Sequence, residues 1–338
     1  MSSATKTKLN IVFGAMTIGK PGVEQTRVHD LSDAAALLDT FQKYGHSEVD
    51  TARVYGQGSS EEYLGELKWQ DRKLVMDTKY FPTVGRGRSG LPTSHSAADL
   101  RKYLLVSLNA LQTDKIDMWY LHAPDRTTPY EETFCAVNEL YKEGYFNRFG
   151  ISNYMAWEVA YINDMCIQNG WIRPTVYQGV YNAIHRTVES ELFPCLRHYG
   201  MSFYAFNPLA GGYLTSRYYR DEQNSIIEQG SRFDPETNQG RLYRTRYWND
   251  NMFDALDIIR AVAGKYGLTE AECALRWLMH HSVMKRELGD AVIIGASSTK
   301  HLEENLVDLE KGPLPDEVLE ALDKAWAKTK GVASNYFQ

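Results

Sequence analysis

The sequence predicts a (β/α)8 barrel, and three observations lead to it. Eight short runs rich in apolar and β-branched residues end in polar ones. Segments with apolar residues three and four apart, the mark of a helix with one buried face, lie between them. Glycines stand where a helix must stop before the next strand begins. The 338 residues exceed the ~250 of a minimal barrel and leave room for long loops. A doubly wound sheet is the runner-up.

The first run, 11–16, is followed by Leu37, Leu38 and Phe41 at helical spacing and by Gly45 as a stop. The second, 47–52, contains Asp50, with Tyr55 just beyond it, and the third, 74–80, carries Lys79 near its end. The fourth, 116–123, closes on His122. Thr128-Pro129-Tyr130-Glu131 then reads as a capping box with proline in the first turn, ahead of Val137, Leu140 and Tyr141 and the stop at Gly144. The fifth run, 147–153, ends in Ser152 and Asn153, with Gly170 closing the helix after it. Gln178 and Asn182 belong to the sixth, 175–182. Gly200 precedes the seventh, 202–209, which holds Asn207. The segment at about 211–250, rich in Gly, Tyr, Arg and Asn, reads as a long loop over the barrel mouth. The eighth run is 291–296, and a tail follows from about 329 to 338. No linker or internal repeat beyond the βα unit divides the chain, so a single domain over 1–338 is expected.

Composition narrows the function. With 37 basic against 43 acidic side chains and no Lys/Arg run, the chain offers no footprint for nucleic acid or an anionic lipid surface. The longest apolar stretches, such as 116–123, fall far short of the ~20 residues that span a bilayer. MSSATKTKLN at the start lacks the apolar core of a secretory signal. Cys135, Cys166, Cys195 and Cys273 fall in helical segments at no metal-like spacing. Free thiols in a cytoplasmic setting are expected, and small-molecule chemistry is the open field.

In such a barrel the chemistry sits at the C-terminal ends of the strands, where Asp50, Tyr55, Lys79 and His122 gather. A phenol has a pKa of roughly 10, and a nearby ammonium stabilises its phenolate. Lys79 would do this to Tyr55, Asp50 would hold Lys79 charged, and His122 would hydrogen-bond a substrate oxygen. Each residue alone has a plainer reading: packing for the tyrosine, solvation for the lysine, a core position for the histidine, a turn for the aspartate. Jointly, at one rim, they suit protonation of a carbonyl oxygen while hydride arrives at carbon.

The ordered motifs resemble the aldo-keto reductase superfamily over nearly the whole chain. They are Asp50-Thr-Ala-x-x-Tyr55-Gly, Lys79 in Asp-Thr-Lys, Leu121-His122, Gly150-Ile-Ser-Asn153 and Gln178-Gly-Val-Tyr-Asn182. Residues 206–215 (FNPLAGGYLT), 157–160 (WEVA), 191–197 (ELFPCLR) and the ending Asn335-Tyr-Phe resemble its aflatoxin aldehyde reductase branch. The resemblance implies reduction of aldehydes and dicarbonyls with NADPH, Tyr55 as proton donor, Lys79 and Asp50 as its tuning pair, and His122 orienting the substrate. It implies that Ser152, Asn153 and Gln178 bind the nicotinamide carboxamide and that the ring stacks on Phe206, where the branch usually has Tyr. Asp50 would also face the cofactor. Asn207, Pro208, Leu209, Gly211 and Arg217 would form one half of the cofactor clamp; Gly295, Ser297, Ser298, His301, Glu304 and Asn305 would form the other. Where many family members place an Arg against the 2′-phosphate, His301 stands nearest, with Arg217 and Arg232 as alternative sources of charge. Arg246 matches an arginine that faces the carboxylate of acidic aldehydes, whereas the terminal arginine of mammalian members is Gln338 here. The branch forms dimers, so a homodimer is expected.

Two signals are discounted. Residues 85–90 (GRGRSG) fit a dinucleotide fingerprint in letter, but Leu91-Pro92-Thr93 keeps them from opening a helix directly. His280 and His281 are adjacent and lack a partner at metal spacing, so no metal is expected. A cofactor-holding, redox-sensing binding module on the same barrel is the alternative function, disfavoured by the short stretch before Ile11. A Schiff-base aldolase using Lys79 is a third.

Overall fold

A computed structural model of the chain describes residues 6–86, 92–221 and 226–338. Eight strands form a closed, all-parallel barrel. They are β1 (Asn10–Gly14), β2 (Glu48–Asp50), β3 (Val75–Tyr80), β4 (Ile116–Leu121), β5 (Phe146–Ser152), β6 (Val176–Val180), β7 (Ser202–Phe206) and β8 (Ala291–Ile294). Each predicted run holds one strand, and β8 pairs with β1 to close the ring. One helix crosses each of the six gaps between β1 and β7: α1 (Leu31–Lys43), α2 (Ser59–Glu66), α3 (Ala97–Ala110), α4 (Tyr130–Lys142), α5 (Ala156–Asn169) and α6 (Leu192–Tyr199). Three helices, α7 (Asn238–Tyr247), α8 (Asp250–Lys265) and α9 (Glu270–His280), separate β7 from β8, and α10 (Thr299–Glu310) and α11 (Asp316–Thr329) follow. Among the described residues no helix is long and apolar enough to cross a membrane.

Gly45, Gly144, Gly170 and Gly200 all take positive φ, between 66° and 90°, the left-handed turn that ends a helix at little steric cost to glycine. The capping box at Thr128 is not formed. Pro129 occupies the N-cap of α4 itself, and the Thr128 hydroxyl donates instead to Asp125 Oδ2 at 2.7 Å. The segment 211–250 is not all loop either. Thr237 caps α7 by accepting from the Gly240 N–H, and Tyr243 and Tyr247, one turn apart, are buried against an aromatic cluster that includes Tyr213 and Phe233. The tail folds back as well: the buried Tyr336 hydroxyl accepts from Ala156 N at 3.1 Å and donates to Glu191.

Strand register places the functional residues. Side chains at partnered positions of a parallel sheet share a face, and Asp50 is partnered with Asp77, Asp77 with Met118, Lys79 with Tyr120, and Gln178 with Tyr204. Met118, Tyr120 and Tyr204 belong to the small apolar cluster that fills the barrel, so Asp50, Asp77, Lys79 and Gln178 project into its interior. Gly150 leaves room for a ring in this layer, since a Cβ there would lie 2.3 Å from Tyr120 Cε1.

Candidate active site

Four strand ends and one turn bring the acid/base set together. Lys79 Nζ donates to Asp50 Oδ2 at 2.5 Å and to the Thr51 carbonyl at 2.7 Å, while Gln178 Nε2 donates to Asp50 Oδ1 at 2.8 Å. The carboxylate is therefore gripped from two sides. The Lys79 ammonium stands 5.0 Å from the centroid of Tyr55. Tyr55 meets His122 edge to face, with centroids 5.7 Å apart and planes at 84°, and Phe81 meets the imidazole at 5.4 Å and 90°. The backbone of His122 is pinned by its N–H to the Tyr80 carbonyl at 2.8 Å and by Asn153 Nδ2 on its own carbonyl at 2.8 Å.

Burial dominates the electrostatics. It pushes the Tyr55 phenol well above its ordinary range, with the Asp50 charge adding to the rise. It also pulls the Lys79 ammonium down and pushes the Asp50 carboxyl up, against their mutual attraction. The expectation that Lys79 lowers the Tyr55 pKa is thus not met, because desolvation of the phenolate outweighs the nearby cation. Tyr55 keeps its proton at neutral pH, the state a proton donor needs. Lys79 is fully buried and held by two acceptors, which leaves its amine withdrawn from any carbonyl and counts against Schiff-base chemistry.

A cavity of about 1060 Å³ opens above this set and runs from Tyr55, His122 and Phe81 to His301, Glu304 and Asn305. That is at the top of the ~300–1,000 Å³ range of ligand pockets and suits an extended ligand such as a dinucleotide. Asn153, Gln178, Phe206, Asn207, Pro208, Leu209, Gly211, Arg217, Arg232, Arg246, Gly295 and Ser297 all line it. Ser152 and Ser298 do not. Ser152 is buried and accepts from Asn153 Nδ2 at 3.0 Å, and Ser298 caps α10 by accepting from His301 N. Asn153 and Asn207 take left-handed φ of 67° and 58°, a conformation asparagine tolerates better than most. The Asn207 side chain is buried, with its Oδ1 accepting from the Tyr243 hydroxyl at 3.0 Å and the Tyr247 hydroxyl also beside it.

At the far end Arg217 Nη2 donates to His301 Nε2 at 3.2 Å and Nη1 pairs with Glu228 at 3.3 Å. Arg27 grips the same carboxylate at 2.8 Å, and Ser297 Oγ contacts His301 Nδ1 at 3.2 Å. Arg27, Glu228, Gly14, Thr17 and Lys300 line the cavity too and escaped the sequence reading, because no motif surrounds them. Arg232 lies elsewhere, 5.6 Å from the Tyr243 centroid and near enough to Tyr55 for its charge to bear on the phenol. Arg246 stands 5.9 Å from the same Tyr243 ring. The Gln338 side chain accepts from Arg86 at 3.0 Å, and its backbone N–H donates to the Asn153 carbonyl at 3.0 Å.

Of the discounted run 85–90, residues 87–90 lie outside the described residues. His280 and His281 are engaged with the Lys311 carbonyl and the Leu314 N–H. Among the described residues no group of three His, Cys, Asp or Glu is placed to hold a metal ion.

Residues 10–327 match the model of the aldo/keto reductase family. The chain is 50% identical to the aldo-keto reductase pigE of Monascus ruber over 99% of both chains. It is 44% identical to human aldo-keto reductase family 7 member A3, over 97% of this chain and 96% of that one. To the mouse aflatoxin B1 aldehyde reductase member 2 it is also 44% identical, over 97% of this chain and 87% of the other.

Proposed function

The chain belongs to the aldo/keto reductase family, and from that premise we propose that this oxidoreductase uses NADPH to reduce aldehydes and dicarbonyls to alcohols, with Tyr55 as proton donor. The observation that carries the reading is the buried Lys79–Asp50 pair beside Tyr55 and His122, set at one end of a cavity whose far end holds Arg27, Arg217 and His301 around Glu228. When bound, the reduced nicotinamide supplies the hydride that adds to the carbonyl carbon. Gln178 and Asn153, which line the cavity beside Asp50 and His122, would hold its carboxamide, Phe206 would offer a flat face for its ring, and Asn207 would line the same stretch. Arg217 and His301, with Ser297 beside them, form the corner for the 2′-phosphate, joined by Arg27.

The substrate oxygen sits between the Tyr55 hydroxyl and His122. As negative charge grows on that oxygen, the Tyr55 Oη proton moves to it, and the Lys79 ammonium steadies the phenolate left behind. Asp50, fixed by Gln178, keeps Lys79 in position.

The test follows the absorbance of the reduced cofactor with succinic semialdehyde and with an uncharged aromatic aldehyde, using NADPH and then NADH. Consumption with NADPH is expected in the wild type, and Tyr55→Phe is expected to abolish it while cofactor binding, read by fluorescence quenching, survives. Tyr55→Phe turnover equal to wild type would overturn the proton-donor assignment. No wild-type consumption despite cofactor binding would favour the binding module.

A further inference from the structure

Below the Lys79–Asp50 pair, the barrel interior holds a carboxyl group that the reaction does not use. Asp77 is fully buried, no donor lies within hydrogen-bond reach of either carboxyl oxygen among the described residues, and the side chain it faces is another carboxyl, Glu48. The two cations nearby are committed elsewhere. Lys79 is bound to Asp50 and the Thr51 carbonyl. Arg148 is bound to Glu48 at 2.9 Å, to Asp117 at 2.6 Å and to the Tyr204 hydroxyl at 3.3 Å. Tyr204 in turn donates to Glu48 at 3.0 Å. Among the described residues, then, Lys79 and Arg148 face three carboxyl groups inside the barrel, Glu48, Asp50 and Asp77, and neither cation bonds Asp77.

The groups facing Asp77 sharpen the point. Glu48 and Asp50 approach from β2, Lys79 from β3 itself, Tyr120 from β4, Arg148 from β5 and Tyr204 from β7. A carboxylate there would be desolvated, without a donor and against a second carboxylate, the arrangement in which one of two acids keeps its proton. We propose that Asp77 is carried as the neutral carboxylic acid at neutral pH, its proton facing the Glu48 carboxylate. We further propose that it is a positioning residue that keeps the floor beneath Lys79 uncharged and so sets how readily Tyr55 gives up its proton. Burial first, and Glu48 second, hold the Asp77 carboxyl well above the ordinary carboxylate range, in line with the geometry. The half concerning Tyr55 rests on the reductase reading; the protonation state does not.

Ionised, Asp77 would add a negative charge close to Lys79 and Tyr55, and the phenol would hold its proton more tightly. Reduction by the wild type should therefore decline at alkaline pH as Asp77 ionises. An asparagine, which mimics the neutral acid and cannot ionise, should move that decline upward by about one pH unit.

The first measurement is the infrared spectrum of the full-length protein in D2O at neutral pH. A protonated-carboxyl stretch is expected in the wild type and should be lost in Asp77→Asn. A spectrum unchanged by this substitution would overturn the proposal. Should Asp77→Asn fail to fold, Glu48→Gln carries the test: it frees Arg148 for Asp77, which should then ionise and lose the same band, and a band that persists would overturn the charge argument. The second measurement is the pH profile of kcat with NADPH and the uncharged aldehyde. An alkaline limb identical in wild type and Asp77→Asn would overturn the positioning role even if the band is lost. Absence of turnover in the wild type would refute the reductase reading, while the infrared result would still decide the state of Asp77.

Discussion

Lys79 and Asp50 form an ion pair 2.5 Å long with both side chains buried. Removing one partner of such a pair strands the other charge in a poorly solvating interior, at a cost of roughly 3–5 kcal/mol, whereas replacing both with apolar side chains is often close to neutral. Lys79→Met is therefore expected to lower stability by about that amount and turnover by roughly a hundredfold or more. The double variant Lys79→Met/Asp50→Leu should regain most of the stability and none of the turnover. Urea midpoints set beside steady-state rates separate the two effects; recovery of turnover in the double variant would show that the pair serves folding alone.

Gly150 and Tyr120 test the layer beneath. An alanine at 150 would put its Cβ 2.3 Å from Tyr120 Cε1 and 3.1 Å from the Val176 carbonyl, and overpacking of this kind costs about 1–3 kcal/mol. The Tyr120 ring lies 5.9 Å from Lys79 Nζ, so its displacement disturbs the site above. Gly150→Ala should lower the urea midpoint and kcat together, and adding Tyr120→Leu should restore the midpoint. A Gly150→Ala protein of wild-type stability would mean that the ring moves aside freely.

The strands were legible because their apolar runs are short and broken by polar residues, and the polar ends of those runs, Asp50, Lys79, His122, Asn153, Gln178 and Asn207, gather at one barrel mouth. Positions that break a local pattern were harder to read. Glu48, Asp77 and Arg148 point into the barrel, where an apolar residue is the ordinary choice, and only the register between strands places them there. Helix α7 was hidden because its buried stripe, Tyr243 and Tyr247, is aromatic and sparse, within a segment dominated by Arg, Asn and Gly. Arg27 and Glu228 meet across about two hundred positions of sequence, and nothing local marks either. The sign of the Tyr55 shift depended on burial, which spacing along the chain does not report.

Three histidines make stability depend on pH. Burial holds His46, His95 and His185 down at about 4, against an ordinary value near 6.5. The unfolded chain takes up protons at these sites before the folded one does. Each therefore contributes stability that is full above pH ~6.5 and is lost as pH falls towards 4. For His185, fully buried and within 3.2 Å of Ser334 Oγ, the full shift corresponds to about 3 kcal/mol. The difference in urea stability between wild type and His185→Gln should shrink steadily from pH 6.5 to 4.5. A difference that stays constant over that window would show that His185 is not held neutral by the fold.

Arg246 decides between acidic and neutral substrates. It lies in the last turn of α7, lines the cavity and stands beside Tyr243, whose hydroxyl donates to Asn207 Oδ1 at 3.0 Å. The chain end offers Gln338 instead of a second cation, and that amide is already bonded to Arg86. A carboxylate on the substrate is expected to pair with Arg246, and a charge-assisted hydrogen bond of this kind contributes about 1.5–3 kcal/mol. Arg246→Met is expected to raise KM for succinic semialdehyde roughly tenfold to a hundredfold and to leave KM for an uncharged aromatic aldehyde within about twofold, because binding that aldehyde involves no charge at this position. Equal increases for both aldehydes would assign Arg246 to the shape of the mouth, through its packing on Tyr243, and remove it from carboxylate recognition.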